Sequence, residues 1–214
     1  MSISNVFKII FLVLFIFFGP LFPGSIVYFS PKDKVSNKLI EQINQTKNKI
    51  YAAVYMLTDK TIANALINAK RRSVDVQIVT DSSCLQSEYN KVELLKNNGI
   101  DVFLYKPRAK NINSRLNEIM HNKFAIFDNK VWTGSFNWTV SAGKRNRENV
   151  LCVQEDAVCK KYEHEFEKLK RKCALNRAKN KNQIQNSDVN LKATVYKLLK
   201  SIKDGFKTKL SNSY

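Results

Sequence analysis

Met120-His121-Asn122-Lys123-Phe124-Ala125-Ile126-Phe127-Asp128 is followed, after a turn at Asn129-Lys130, by Val131-Trp132-Thr133-Gly134-Ser135-Phe136-Asn137-Trp138-Thr139. The first run reads as a strand, and its period of two puts His121 and Lys123 on one face. The second run returns as another apolar strand and ends on Gly134-Ser135, where the chain turns again. Asn146-Arg147-Glu148-Asn149-Val150 opens a third. Upstream, apolar β-rich runs at 26–29, 50–56, 74–79 and 100–105 alternate with helical patterns at 33–48, from Thr58, and at about 86–98. Asn98-Gly99 is a natural helix stop. Strand–helix alternation at this spacing predicts an α/β domain, a layered α/β/α arrangement with a mixed, largely parallel sheet. No internal repeat is visible.

The flanks differ from this middle. Lys8 precedes ten apolar residues, 9–18, and then Gly19-Pro20 and Pro23-Gly24-Ser25, the pattern of a secretory signal peptide. Residues 9–29 carry no charge, so the same segment is also long enough for an uncleaved membrane anchor. Either way the remainder is expected to be exported, periplasmic or secreted, or to be tethered to a membrane. Residues 174–190 read as a polar linker. Val195, Leu198, Leu199, Ile202, Phe206 and Leu210 then share one helical face, with lysines elsewhere. Such a basic amphipathic helix suits a membrane surface or anionic partner, or it packs back on its own domain or a second copy. The expected division is 1–25 as signal peptide or anchor, 26–173 as the catalytic domain, and 174–214 as linker and helix.

Formal charge is +18, of which +10 lies from Lys160 to the end. A surplus of this size attracts polyanions, either nucleic acid or anionic phospholipid, and charge alone does not separate them. The basic loop 106–119, with Lys106-Pro107-Arg108-Ala109-Lys110, precedes the histidine strand. Cys84, Cys152, Cys159 and Cys173 have no zinc-type spacing. Cys159 and Cys173 lie on one predicted helix, about 21 Å apart by rise per residue, so four free and mostly buried thiols are expected.

Of two histidines, His164 lies in a charged helical stretch and reads as a surface residue. His121 shares its face with Lys123, which suits phosphate chemistry. An imidazole is a competent nucleophile at phosphorus near neutral pH, because its unperturbed pKa is about 6.5. Lys123 can neutralise non-bridging oxygens. Gly134 and Ser135 can supply backbone and hydroxyl donors, and Asn137 an amide donor. Glu148 can hold the imidazole N–H and fix its tautomer. No Asp/Glu cluster resembles a two-metal site, so neither metal nor other cofactor is expected. His-x-Lys alone arises often by chance, and a core histidine is the bland alternative.

The whole pattern is more specific. His-x-Lys-x4-Asp followed by Gly-Ser-x-Asn resembles the signature of the phospholipase D superfamily, especially the single-motif branch of the bacterial nuclease Nuc and the mitochondrial phospholipase D/Zucchini proteins. The likeness covers roughly residues 26–172. It includes Tyr28-Phe29-Ser30-Pro31, Ile78-Val79-Thr80-Asp81 and the motifs above. The resemblance implies a phospholipase D-like fold and a phosphohistidine formed on His121. Lys123 and Asn137 would bind the phosphate, with Ser135 in the pocket, Asp128 supporting the site and Glu148 orienting the histidine. One motif stands where two are required, which implies a homodimer with a composite site. Five residues separate Asp128 from Gly134 where the family usually has six. The expected function is phosphodiester hydrolysis, by an endonuclease on DNA or RNA or by a phospholipase D on phosphatidylcholine, cardiolipin or a related lipid. A catalytically idle nucleic-acid-binding or membrane-scaffolding protein is the alternative from another class.

Overall fold

The computed structural model describes residues 24–106 and 118–175, together with Thr194. The apolar N-terminal segment up to residue 23, most of the basic loop and nearly all of the tail fall outside the described residues. Seven strands form one sheet: β1 (Ser25–Ser30), β2 (Lys49–Val54), β3 (Asp75–Asp81), β4 (Asp101–Tyr105), β5 (Lys123–Phe127), β6 (Lys130–Gly134) and β7 (Glu148–Val153). Four helices have bounds inside this frame: α1 (Val35–Gln45), α2 (Lys60–Arg71), α3 (Val92–Asn97) and α4 (Val140–Lys144). A fifth, α5, runs over residues 156–175.

The strand order is β1-β7-β6-β5-β2-β3-β4. Layering and mixed pairing are as the alternation predicts, but the balance within the sheet is not largely parallel. Only β2–β3 and β3–β4 are parallel, while β2–β5, β5–β6, β6–β7 and β7–β1 are antiparallel. The cause is connection length. A parallel neighbour needs a crossover of a dozen or more residues, whereas antiparallel strands can be joined by a two-residue turn. Phe127 pairs with Lys130, so Asp128-Asn129 is the whole β5–β6 loop, one residue earlier than the predicted turn. Asp128 takes φ 52°, the left-handed conformation favoured in such hairpins.

One sheet face is covered by α1 through Val35, Leu39 and Ile43, and by α2 through Ile62 and Leu66. Asp59 caps α2 by accepting the Thr61 backbone N–H at 2.8 Å. The other face carries α5, whose Phe166 stacks on Tyr51 with centroids 5.1 Å apart. The predicted helix at 86–98 is shorter, confined to α3. Asp81 accepts the Ser83 N–H at 2.9 Å and caps a tight 3₁₀ turn at Ser82–Gln86 instead. Gly99 closes α3 with φ 75°. The four cysteines are buried free thiols, and Cys159 and Cys173 both lie on the continuous helix α5. Among the described residues no helix is long and apolar enough to cross a membrane.

Candidate active site

The register brings distant sequence to one end of the sheet. β5 runs antiparallel to β2, so the start of β5 lies beside the end of β2, with Lys123 opposite Val54. β6 ends where β5 begins, with Thr133 opposite Phe124. β7 starts there too, with Val150 opposite Gly134, and β1 ends there, with Ser30 opposite Glu148. The carboxyl ends of the parallel strands β2 and β3 complete this edge, the usual place for a ligand crevice in an open α/β sheet.

His121 is not itself a strand residue. It lies in the irregular segment 118–122, just ahead of β5, with its side chain exposed. Three contacts hold that segment. Buried Asp81 accepts the Met120 N–H at 2.8 Å, and the Asn122 carbonyl accepts the Tyr55 N–H at 2.9 Å. Glu118 accepts the Tyr105 hydroxyl at 2.6 Å and also takes Lys172 of α5. The imidazole packs against the Tyr55 ring, centroids 4.7 Å apart and planes tilted by 58°. Lys123 Nζ stands 5.2 Å from the same ring centroid and donates to the His121 carbonyl at 2.6 Å. Burial pushes the Lys123 ammonium below the ordinary lysine range, and the nearby Glu148 carboxylate offsets this in part.

Glu148 faces the same edge. It accepts the Ser135 hydroxyl at 2.5 Å and the Asn146 amide at 3.0 Å. Ser135 Oγ accepts the Asn149 N–H at 3.1 Å, and the Ser135 N–H goes to the Asn149 carbonyl, also at 3.1 Å. Both Ser135 donors are therefore engaged, and the residue holds Glu148 and β7 rather than offering free donors. Gly134 allows that closeness, because a Cβ there would drive into the Asn149 carbonyl. Asn137 accepts the Met56 N–H at 3.3 Å through Oδ1, which leaves its amide nitrogen as the end available to donate.

Asp128, expected to support the site, lies away from His121. It follows the far end of β5, and a five-residue strand spans roughly 17 Å. There it accepts the backbone N–H groups of Lys47, Asn48 and Lys49 at 2.9–3.0 Å, pinning the α1–β2 loop to the hairpin. Burial raises its carboxyl pKa, but these bonds together outweigh burial and hold it below the usual range. His164 is exposed on α5, as expected. Tyr55 is the residue that sequence reading missed, and Asp81, quoted in the resemblance, was given no role there. Tyr55 directly follows β2 and Asp81 ends β3, and their position beside the His121 segment comes from sheet register.

Beside His121 a groove of about 430 Å³ runs along α5, lined by Tyr105, Glu118, Ile119, Glu165, Lys168 and Lys172 among others. Its charges balance, since Lys168 pairs with Glu165 at 3.5 Å and Lys172 with Glu118. Among the described residues no three imidazole, thiol or carboxylate groups converge as metal ligands would.

The family described as "Cardiolipin synthase, PLD-like domain" matches residues 39–170, from α1 into α5. The chain belongs to this PLD-like family. The PLD-like domain is 37% identical over 135 residues to a protein named phospholipase D from Rickettsia prowazekii, a match covering 63% of this chain and 62% of that protein. It is 30% identical over 138 residues to the mitochondrial cardiolipin hydrolase of Xenopus laevis, covering 64% and 61%. The chain thus spans about three-fifths of the length of these curated relatives. Among solved structures it resembles Nuc from Salmonella typhimurium, a phospholipase D family member, with TM-score 0.59 and 28% identity over 69% of this chain and 93% of that one.

Proposed function

We propose that the protein is a phosphodiester hydrolase that works through a phosphohistidine on His121, and that its substrate is nucleic acid. The observation carrying this reading is the meeting of an exposed imidazole, a part-buried lysine, an amide whose nitrogen is left to donate and a tethered carboxylate at one sheet edge. His121 attacks phosphorus as the bond to the leaving oxygen breaks, and a second imidazole protonates that oxygen. Water then attacks the phosphohistidine, with the second imidazole as base. Lys123 and Asn137 neutralise and bind the non-bridging oxygens, a role donors fill best when fixed in advance. Glu148, held by Ser135, keeps Lys123 charged and orients the imidazole. Asp128 contributes by anchoring the far end of β5.

The second imidazole comes from a second copy, because the only other histidine, His164, sits on α5 and not among these groups. A two-fold contact brings the same residue from each copy to the axis. Beside Glu148, β1 and β7 present Val27, Phe29 and Leu151 with 50%, 57% and 36% of their surfaces exposed, an apolar face suited to that contact. The net charge of +18 suits a polyanionic substrate, and the basic run Lys106-Pro107-Arg108-Ala109-Lys110 ahead of His121 in the sequence favours nucleic acid. Export or anchoring through residues 9–29 accompanies this reading.

A second reading, hydrolysis of phosphatidylcholine, cardiolipin or a related phospholipid, is favoured by the names of the Rickettsia and Xenopus relatives and by the charge-balanced groove with its exposed Ile119. The deciding experiment offers the purified chain single-stranded DNA, RNA and lipid vesicles, each in excess chelator. Cleavage of the oligonucleotides supports the proposal. Turnover of vesicles alone transfers it to lipid, and turnover that needs added Mg²⁺ overturns the mechanism.

A further inference from the structure

Among the described residues, the two sides of the site differ in free charge. On the α5 side, Lys168 and Lys172 are each neutralised by a glutamate. On the β1–α4 side stand Lys32 and Lys34, in the turn between β1 and α1, and Lys144, Arg145 and Arg147, at the end of α4 and just before Glu148. All five are exposed, and among the described residues none of them is ion-paired. The carboxylate of Asp33 lies in the same turn, where it accepts the Phe29 N–H at 2.8 Å and offsets one of the five charges.

These two loops are separated by more than a hundred residues and are stitched together. The Ser30 hydroxyl donates to the Ala142 carbonyl. A Cβ on Gly143 would drive into Ser36 Oγ, so α4 lies directly on the start of α1. Ser30 pairs with Glu148 across β1 and β7, and Asn146 bonds Glu148 at 3.0 Å. The five cations therefore form one ridge continuous with the catalytic edge.

We propose that this ridge is the second phosphate-binding surface, and that a single-stranded nucleic acid leaves His121 across β1 and α4 rather than along α5. The inference rests on the nucleic-acid reading above and adds a direction to it. A polyanion gains from unpaired cations by releasing its own counterions, whereas a lysine already held by glutamate offers little. Arg145 and Arg147 suit this role because guanidinium groups bind phosphate in a bidentate fashion.

Two variants of the full chain test it: Lys144→Gln/Arg145→Gln/Arg147→Gln and, on the other loop, Lys32→Gln/Lys34→Gln. Each is assayed across a salt series on a single-stranded oligonucleotide and on bis(p-nitrophenyl) phosphate, which has no second phosphate. For the oligonucleotide KM is expected to rise about tenfold, with the log–log salt slope smaller by about two in the triple variant, since each single-strand contact contributes about 0.7. Hydrolysis of the small diester is expected to hold within about twofold. Unchanged KM and salt slope in both variants would overturn the ridge while leaving the nuclease reading intact. Equal losses on both substrates would also overturn it, by showing that the effect passes through Glu148. If the triple variant fails to fold, the Lys32/Lys34 pair decides. Wild-type chain that hydrolyses phospholipid vesicles and no oligonucleotide would remove the nuclease reading and the ridge together.

Discussion

At the scale of single residues, Lys123 and Asp128 show how one strand separates two charged groups that the sequence sets five positions apart. Lys123 loses its proton more easily than an ordinary lysine because burial penalises the ammonium. If the charged form binds phosphate, kcat/KM is expected to fall as pH rises, on a limb below the normal lysine value of 10.5. Lys123→Arg should move that limb upward, because a guanidinium stays protonated there. A limb that does not move would assign it to another group. Asp128→Ala removes an acceptor from three backbone N–H groups and is expected to cost about 1–3 kcal/mol in chemical denaturation. Its kcat should stay within about threefold of wild type, a split that a group touching substrate would not give. The folded pKa of Asp128 is depressed, so the stabilisation is present above the ordinary carboxylate value and is lost as pH falls through the lowered one. His121, Lys123, Asn137 and Glu148 were legible because their motif is local. The packing of Tyr55 on the imidazole and the Asp81 bond to Met120 were not, because no spacing in the chain connects those residues to His121.

Elements carry the next level of specification. β5 at Lys123–Phe127 matches the predicted strand, since a short apolar run between polar ends leaves few alternatives. The count of antiparallel pairs was not legible. The apolar runs look alike whether neighbours run parallel or not, and only loop length and pairing separate the cases. α3 came out short because Asp81 and Ser83 offer the backbone a side-chain alternative to helix. The layer on the second face depends on α5, where Phe166 is fully buried against Tyr51. Phe166→Ala is expected to cost about 3–5 kcal/mol in denaturant unfolding, through lost burial and the cavity left behind. A cost below about 1 kcal/mol would mean that α5 does not seal this face as described.

For the whole molecule, the proposal assigns the nucleophile to His121 of one copy and the acid to His121 of a second. Wild-type and His121→Ala subunits, unfolded together and refolded as mixtures, should lose activity faster than the wild-type fraction falls, because a heterodimer would hold only one His121. A linear fall, with a fully active monomer in sedimentation, would refute the composite site and make Glu148 the next candidate acid. The layered architecture was legible from the alternation of elements, but the apolar face at Val27, Phe29 and Leu151 was not, since alternation alone does not say which outer face stays bare. The most direct measurement is the mass of the intact chain after acid-free quenching during turnover of a labelled phosphodiester, followed by peptide mapping. A phosphoryl-linked substrate fragment on His121, absent from His121→Asn, is the expected result. Rapid turnover with no adduct at any quench time, or with the adduct on another residue, would contradict it.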